Sequence, residues 1–142
     1  MNREQPTELD AIVERCGHDL REFAHTFRSE AFYIPTPHDE ETDKFLRLLS
    51  DPAISHSLII AHRGWGKTSW VVTELLKAIL YRQTNCAMYC SLTEKSAMQR
   101  TDALKRELER NRLILSTFGD MRSDKWAQGE WCTAPFIDPA GS

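Results

Sequence analysis

The chain has 142 residues with 41% hydrophobic, 9% aromatic and 27% charged side chains and a formal net charge of −3, which is ordinary for one soluble globular domain. No run approaches the roughly 20 consecutive apolar residues that a transmembrane helix needs. From the polar start MNREQPTELD we expect no secretory signal. The four cysteines form no C-x-x-C pair and no metal-ligand spacing, so they predict reduced thiols in a cytoplasmic protein, without a disulfide framework or zinc site. The lack of a long apolar run predicts no membrane partner.

The first third of the chain is predicted to be helical. Apolar residues recur at spacings of three and four from Pro6 to Phe32, with a break at Gly17. The segment YIPTPHDEE predicts an extended connection, because each proline disfavours helix at the residue before it. A short amphipathic helix is then predicted for 39–49.

The middle of the chain alternates between strand-like and helix-like runs. The predicted order is a strand at 56–61, a helix at 68–81, a strand at 85–91 and a helix at 93–110. This alternation predicts an α/β fold, a parallel sheet with crossover helices. Beyond Asn111 the segment LILSTFGD is open between a short strand and the end of the helix, and KWAQGEWCT is typical of part of a hairpin.

The segment between the first predicted strand and its helix carries the strongest functional signal. It has the sequence AHRGWGKTS, residues 61–69, which we call the glycine loop. It differs from the Walker A pattern G-x-x-x-x-G-K-[ST] only in Ala61, which is also small. Glycines let the backbone curl around a polyphosphate, and the following helix presents free N–H groups to the anion.

Each residue of the loop has a predicted role in binding ATP and Mg²⁺. Lys67 is expected to reach the β- and γ-phosphates, and the Thr68 hydroxyl to complete the Mg²⁺ shell. Arg63 is a candidate for stabilising charge during phosphoryl transfer, so Arg63 and Lys67 are the predicted catalytic residues. The predicted nucleotide-binding set comprises Ala61, His62, Arg63, Gly64, Trp65, Gly66, Lys67, Thr68 and Ser69. The alternative is a glycine turn before a helix, with Arg63 on the surface and Trp65 as a lid or packing residue.

The stretch LIIAHRGWGKTS, followed by CAMYCSLTEKSAMQRTDALKRELERNRLILSTFGD, resembles the ATPase domain of bacteriophage terminase large subunits, the motors that pump viral DNA into procapsids. The resemblance covers 16–133, and its specific part is the loop with an arginine inside it. It implies an incomplete P-loop NTPase fold of the RecA type. The implied partners are ATP, double-stranded DNA, the portal and the small terminase subunit, with a homo-oligomer when complete. Tyr33, Pro35 and His38 become candidate neighbours of the adenine base.

One part of that family's pattern is missing from the sequence. No apolar run after Thr68 ends in the acidic pair that positions Mg²⁺ and the attacking water, and we assign none of the 142 residues to the family's nuclease domain. We therefore predict a truncated terminase with a helical lead-in at 1–50 and a partial P-loop ATPase domain at 51–142. We expect it to bind ATP weakly and to hydrolyse it poorly or not at all. The alternatives are another P-loop ATPase, helicase-like or AAA-type, and a non-hydrolysing nucleotide-binding module.

Overall fold

A computed structural model of the chain describes residues 7–127 and 130–133. Within these residues the chain forms six helices and one pair of strands: α1 (Glu8–His18), α2 (Leu20–Phe27), α3 (Glu40–Ser50), α4 (Lys67–Leu80), α5 (Glu94–Arg110), α6 (Arg112–Phe118), β1 (Arg122–Trp126) and β2 (Trp131–Thr133). Two helices within the predicted segment 6–32 and those at 39–49, 68–81 and 93–110 are confirmed. The predicted break at Gly17 is wrong, because Gly17 lies inside α1 and Asp19 separates α1 from α2, and 28–32 is not helical. Among these helices, none combines the length and apolar character that a bilayer crossing requires.

The chain divides into two compact units between Asn85 and Cys86. The first unit contains α1 to α4, and the second contains α5, α6 and the hairpin of β1 and β2. The predicted boundary at 50/51 divides the chain by expected function, into a helical lead-in and a nucleotide-binding part. Compactness does not test that division, so it stays a prediction.

Helix α2 is the centre of the first unit, because it packs against α1, α3 and α4. Its buried face is a stripe at helical spacing, formed by Leu20, Phe23, Ala24 and Phe27. Asp19 accepts a hydrogen bond from the Glu22 N–H and so begins α2 directly after α1 ends. The two helices are therefore separated by a single capping residue.

The part of the core nearest the glycine loop is a cluster from three helices, which we call the loop-side core. Its buried members are Leu20, Ala24, Phe45, Leu46 and Trp70, and the half-buried Phe32, Leu49, Ile59 and Trp65 pack against it. The lead-in helices α2 and α3 thus share one apolar core with the start of α4.

Gly17 lies where the last turn of α1 meets the ring of Tyr81, the residue that ends α4. A Cβ at position 17 would lie 2.8 Å from Tyr81 Cε1. The ring cannot easily retreat, since the Tyr81 hydroxyl donates a hydrogen bond to the Val13 carbonyl. Burial raises the pKa of Tyr81, so this hydroxyl keeps its proton.

We expect Gly17→Ala to lower the free energy of unfolding by about 1–3 kcal/mol, the usual effect of overpacking. The gain in helix propensity offsets at most about 1 kcal/mol of it. Urea unfolding followed by circular dichroism measures the change. Gly17→Ala combined with Tyr81→Leu removes the obstructing ring, and the alanine should then no longer destabilise relative to Tyr81→Leu alone. An equal penalty in both backgrounds would contradict the clash.

The second unit is built from α5, α6 and the antiparallel hairpin. Trp126 of β1 pairs with Trp131 of β2, and their ring centroids lie 5.0 Å apart. The Trp126 indole N–H donates to the Glu109 carboxylate of α5. The predicted hairpin is confirmed in its described part, and LILSTFGD is largely a separate helix, α6.

The predicted fold class is wrong. The segments 56–61 and 85–91 form no strands, and the described residues contain only the two-stranded antiparallel sheet of β1 and β2, not a parallel P-loop sheet of the RecA type with crossover helices. The side chains of Leu58, Ile60 and Met88 are 85%, 88% and 83% exposed. Apolar β-branched runs favour strands only when neighbouring strands complete the hydrogen bonds, and here the described chain supplies no such neighbours.

Candidate phosphate-binding site

The glycine loop joins the extended segment 54–60 to α4. Gly64 and Gly66 have φ angles of 84° and 87°, in the left-handed region that glycine adopts without strain. These two residues reverse the chain, so that α4 begins at Lys67. Both glycines of the predicted binding set are thus at positions where the backbone requires glycine, although the Walker A pattern specifies only Gly66.

The N-terminus of α4 has no side-chain cap. Gly66 is its N-cap residue and makes no capping hydrogen bond. The other five described helices each have a capping side chain, from Thr7, Asp19, Asp39, Thr93 and Asn111. The first N–H groups of an α-helix lack acceptors within the helix, so this end of α4 can offer them to a ligand.

Lys67 folds back over the loop that precedes it. Its ammonium group donates hydrogen bonds to the carbonyls of Ala61, at 2.6 Å, and His62, at 3.1 Å. The Lys67 side chain is half-buried, and its hydrogen bonds close a ring between Ala61 and Lys67. An anion bound there would replace the carbonyl oxygens of Ala61 and His62 as the acceptor of the Lys67 hydrogen bonds.

The remaining predicted site residues differ in exposure. The side chains of His62, Arg63 and Ser69 are exposed, whereas Thr68 is half-buried. The Ser69 carbonyl accepts a hydrogen bond from the Thr73 hydroxyl at 2.6 Å. The arrangement leaves the Arg63 guanidinium in solvent, where it is available to a ligand of the loop.

Trp65 is a packing residue of the loop. Its indole is half-buried and meets Phe45 of α3 edge to face, with ring centroids 4.5 Å apart and planes at 86°. The contact attaches the turn between the two glycines to the loop-side core. Of the two roles open to Trp65 on sequence grounds, packing agrees with this geometry.

Arg28 supports the first turns of α4 from the end of α2. Its guanidinium donates to the Thr73 hydroxyl at 2.8 Å and to the Ser69 carbonyl at 3.3 Å. The same group lies 5.8 Å from the centre of the Phe32 ring. No motif in the sequence pointed to Arg28 or Phe45, which lie 41 and 20 residues from their loop-side partners, Ser69 and Trp65.

The three candidate neighbours of an adenine base lie on the surface of the first unit. Tyr33 is 79% exposed, and Pro35 and His38 are exposed as well. Within 7–127 and 130–133, no hydrogen bond or ring contact joins these three residues to the glycine loop.

The groups that the loop assembles fit an anion better than a cation. An ammonium group, an exposed guanidinium and uncapped helix N–H groups are all donors, which suits phosphate oxygens. The Thr68 hydroxyl is the one predicted Mg²⁺ ligand, and the described residues hold no cluster of three His, Cys, Asp or Glu that could bind a metal ion. Mg²⁺ would therefore take most of its ligands from phosphate and water.

No family model, curated protein or solved structure matches the chain. The resemblance to terminases therefore depends on residue patterns within 16–133, of which only the glycine loop is specific.

Proposed function

We propose that the glycine loop binds the phosphates of ATP together with Mg²⁺. The observation that carries the proposal is the position of Lys67, whose ammonium closes the loop directly before the uncapped end of α4. In this proposal Lys67 contacts the terminal phosphates, the first N–H groups of α4 contact a phosphate oxygen, and Thr68 ligates Mg²⁺. Arg63 extends the same positive surface.

The chain's wider role is proposed from the resemblance alone. It would be the ATP-binding portion of a terminase-like motor in the host cytoplasm, acting on double-stranded DNA with a portal and a small subunit. The RecA-type sheet is not part of this proposal. Binding of ATP by the loop needs only the local geometry of 61–69 and the first turn of α4.

We expect Lys67→Ala to weaken Mg·ATP binding about 10- to 100-fold, because hydrogen bonds to charged groups contribute about 1.5–3 kcal/mol each. Calorimetric titration of the full chain measures this. Inorganic tripolyphosphate should compete with ATP and adenosine should not, since the phosphates make the proposed contacts.

Lys95→Ala is the matched control, because Lys95 is an exposed lysine in the first turn of α5. It should bind like the unaltered chain. Absence of ATP binding by the folded chain, or equal binding by Lys67→Ala and the unaltered chain, would remove the proposed function. Release of inorganic phosphate, measured on the same samples, separates an ATPase from a non-hydrolysing module.

A further inference from the structure

The turn of the glycine loop contains one bulky side chain between two flexible residues. Trp65 stands between Gly64 and Gly66, which both have a left-handed backbone. Glycine has more backbone conformations open to it than any other residue, so ordering such a turn loses much conformational entropy. The packing of the Trp65 indole on Phe45 restricts it before any ligand arrives.

Phe45 is a firm support for that indole. It is 5% exposed and belongs to the loop-side core. Its helix, α3, is capped by Asp39, whose side chain accepts from the Thr42 N–H at 2.7 Å. The guanidinium of Arg21, on α2, donates a hydrogen bond to the Asp43 carboxylate of α3 at 2.6 Å. Movement of the loop away from Phe45 would therefore not be followed by α3.

We propose that Phe45 is a positioning residue for the phosphate site, acting through Trp65. The inference rests on the proposed function of the loop. Phe45 packs against the Trp65 indole, and this contact restricts the turn formed by Gly64 and Gly66. The restricted turn keeps the Lys67 ammonium at the carbonyls of Ala61 and His62. A loop that is ordered in advance loses less conformational entropy on binding, and its affinity is correspondingly higher.

Removal of the aromatic contact should weaken binding without removing any group that touches phosphate. We expect Phe45→Leu and Trp65→Leu each to weaken Mg·ATP binding about three- to tenfold. This is less than the full entropic cost of ordering two glycines, because leucine keeps part of the apolar contact. Trp65→Phe keeps a ring opposite Phe45 and should bind within about twofold of the unaltered chain. Circular dichroism establishes that each full-length variant is folded at the temperature of the titration.

The decisive measurement is the double mutant. If Phe45 acts only through Trp65, Phe45→Leu with Trp65→Leu should bind no more weakly than either single variant. Phe23→Leu is the matched control, since it removes a buried ring whose ring partners, Phe27 and Tyr81, lie outside the loop. It should leave the affinity unchanged.

The outcomes separate this inference from the proposed function. Unaltered affinity in Phe45→Leu, multiplying losses in the double mutant, or an equal loss in Phe23→Leu would overturn the positioning role. If at the same time Lys67→Ala still abolishes or weakens binding by the folded chain, the phosphate site itself stands. A folded, unaltered chain that binds no Mg·ATP would overturn both.

Discussion

Phe23→Ala is expected to lower the free energy of unfolding by about 3–5 kcal/mol. Phe23 is fully buried on α2, the helix that packs against α1, α3 and α4. Its ring lies 5.1 Å from that of Phe27 and 6.2 Å from that of Tyr81. With helices on several sides, the space left by the ring cannot close without moving a helix. Because whole domains are stable by only about 5–15 kcal/mol, this loss would bring the first unit close to unfolding.

Urea unfolding followed by far-ultraviolet circular dichroism measures the effect. Leu9→Ala is the control, because Leu9 is on α1 and is 50% exposed, so its truncation should change the free energy of unfolding by less than about 1 kcal/mol. Phe23→Leu should fall between the two. Equal stability of Phe23→Ala and Leu9→Ala would contradict the central position of α2.

Local signals in the sequence were sufficient to place the two long helices, α4 and α5. The predicted helix at 68–81 is Lys67–Leu80, and the one at 93–110 is Glu94–Arg110. Their apolar spacing and the capping residue Thr93 lie within the segments themselves. Asn111 ends α5 and caps α6, where its side chain accepts a hydrogen bond from the Ile114 N–H. Because asparagine is a favoured N-cap residue, it is a signal in the sequence for a helix rather than a strand in LILSTFGD.

The strand predictions failed because a strand depends on residues far away in the chain. The run at 56–61 has the composition of a buried strand, yet a strand is stable only beside a partner. In the described residues, Ile59 packs against the loop-side core while Leu58 and Ile60 face solvent. Composition alone could not distinguish this extended segment from the edge of a sheet.

The backbone conformation of the candidate site could be predicted from the sequence, but the residues that pack against the loop could not. The motif located both left-handed glycines and the first residue of α4, because these are properties of adjacent residues. Phe45 and Arg28 could not be found in the same way, since their contacts with the loop region arise from helix packing. The roles of Arg63 in catalysis and Thr68 in Mg²⁺ binding stay predictions.

The second large effect is expected at a buried ion pair in α4. Lys77 is 3% exposed, and its ammonium lies 3.4 Å from the Glu74 carboxylate and 3.3 Å from the Gln83 side-chain oxygen. Gln83 in turn donates to the Gly17 carbonyl at 3.2 Å. Lys77→Met should lower the free energy of unfolding at neutral pH by about 3–5 kcal/mol, because it leaves the Glu74 carboxylate largely buried without its counter-ion.

The pH dependence of this effect follows from Glu74. Burial raises its pKa above the ordinary value of 4.5, and this outweighs the lowering by Lys77. The folded chain therefore holds the Glu74 proton to higher pH than the unfolded chain does, and the contribution of Glu74 to stability falls as pH rises from 4.5 through the raised pKa. Without the Lys77 ammonium the folded-state pKa of Glu74 rises further. The destabilisation by Lys77→Met should thus be largest at neutral pH and shrink as the solution is acidified below that pKa.

The double variant Glu74→Leu with Lys77→Met tests whether the loss comes from an unpaired charge. Replacing both members of a buried ion pair by apolar residues is often neutral or stabilising, so this variant should unfold within about 1 kcal/mol of the unaltered chain and without the pH dependence of Lys77→Met. Urea unfolding at pH 4 and pH 7 provides the comparison. If the double variant were as unstable as Lys77→Met at both pH values, the lysine would stabilise α4 through its packing and its bond to Gln83, and the Glu74 charge would be immaterial.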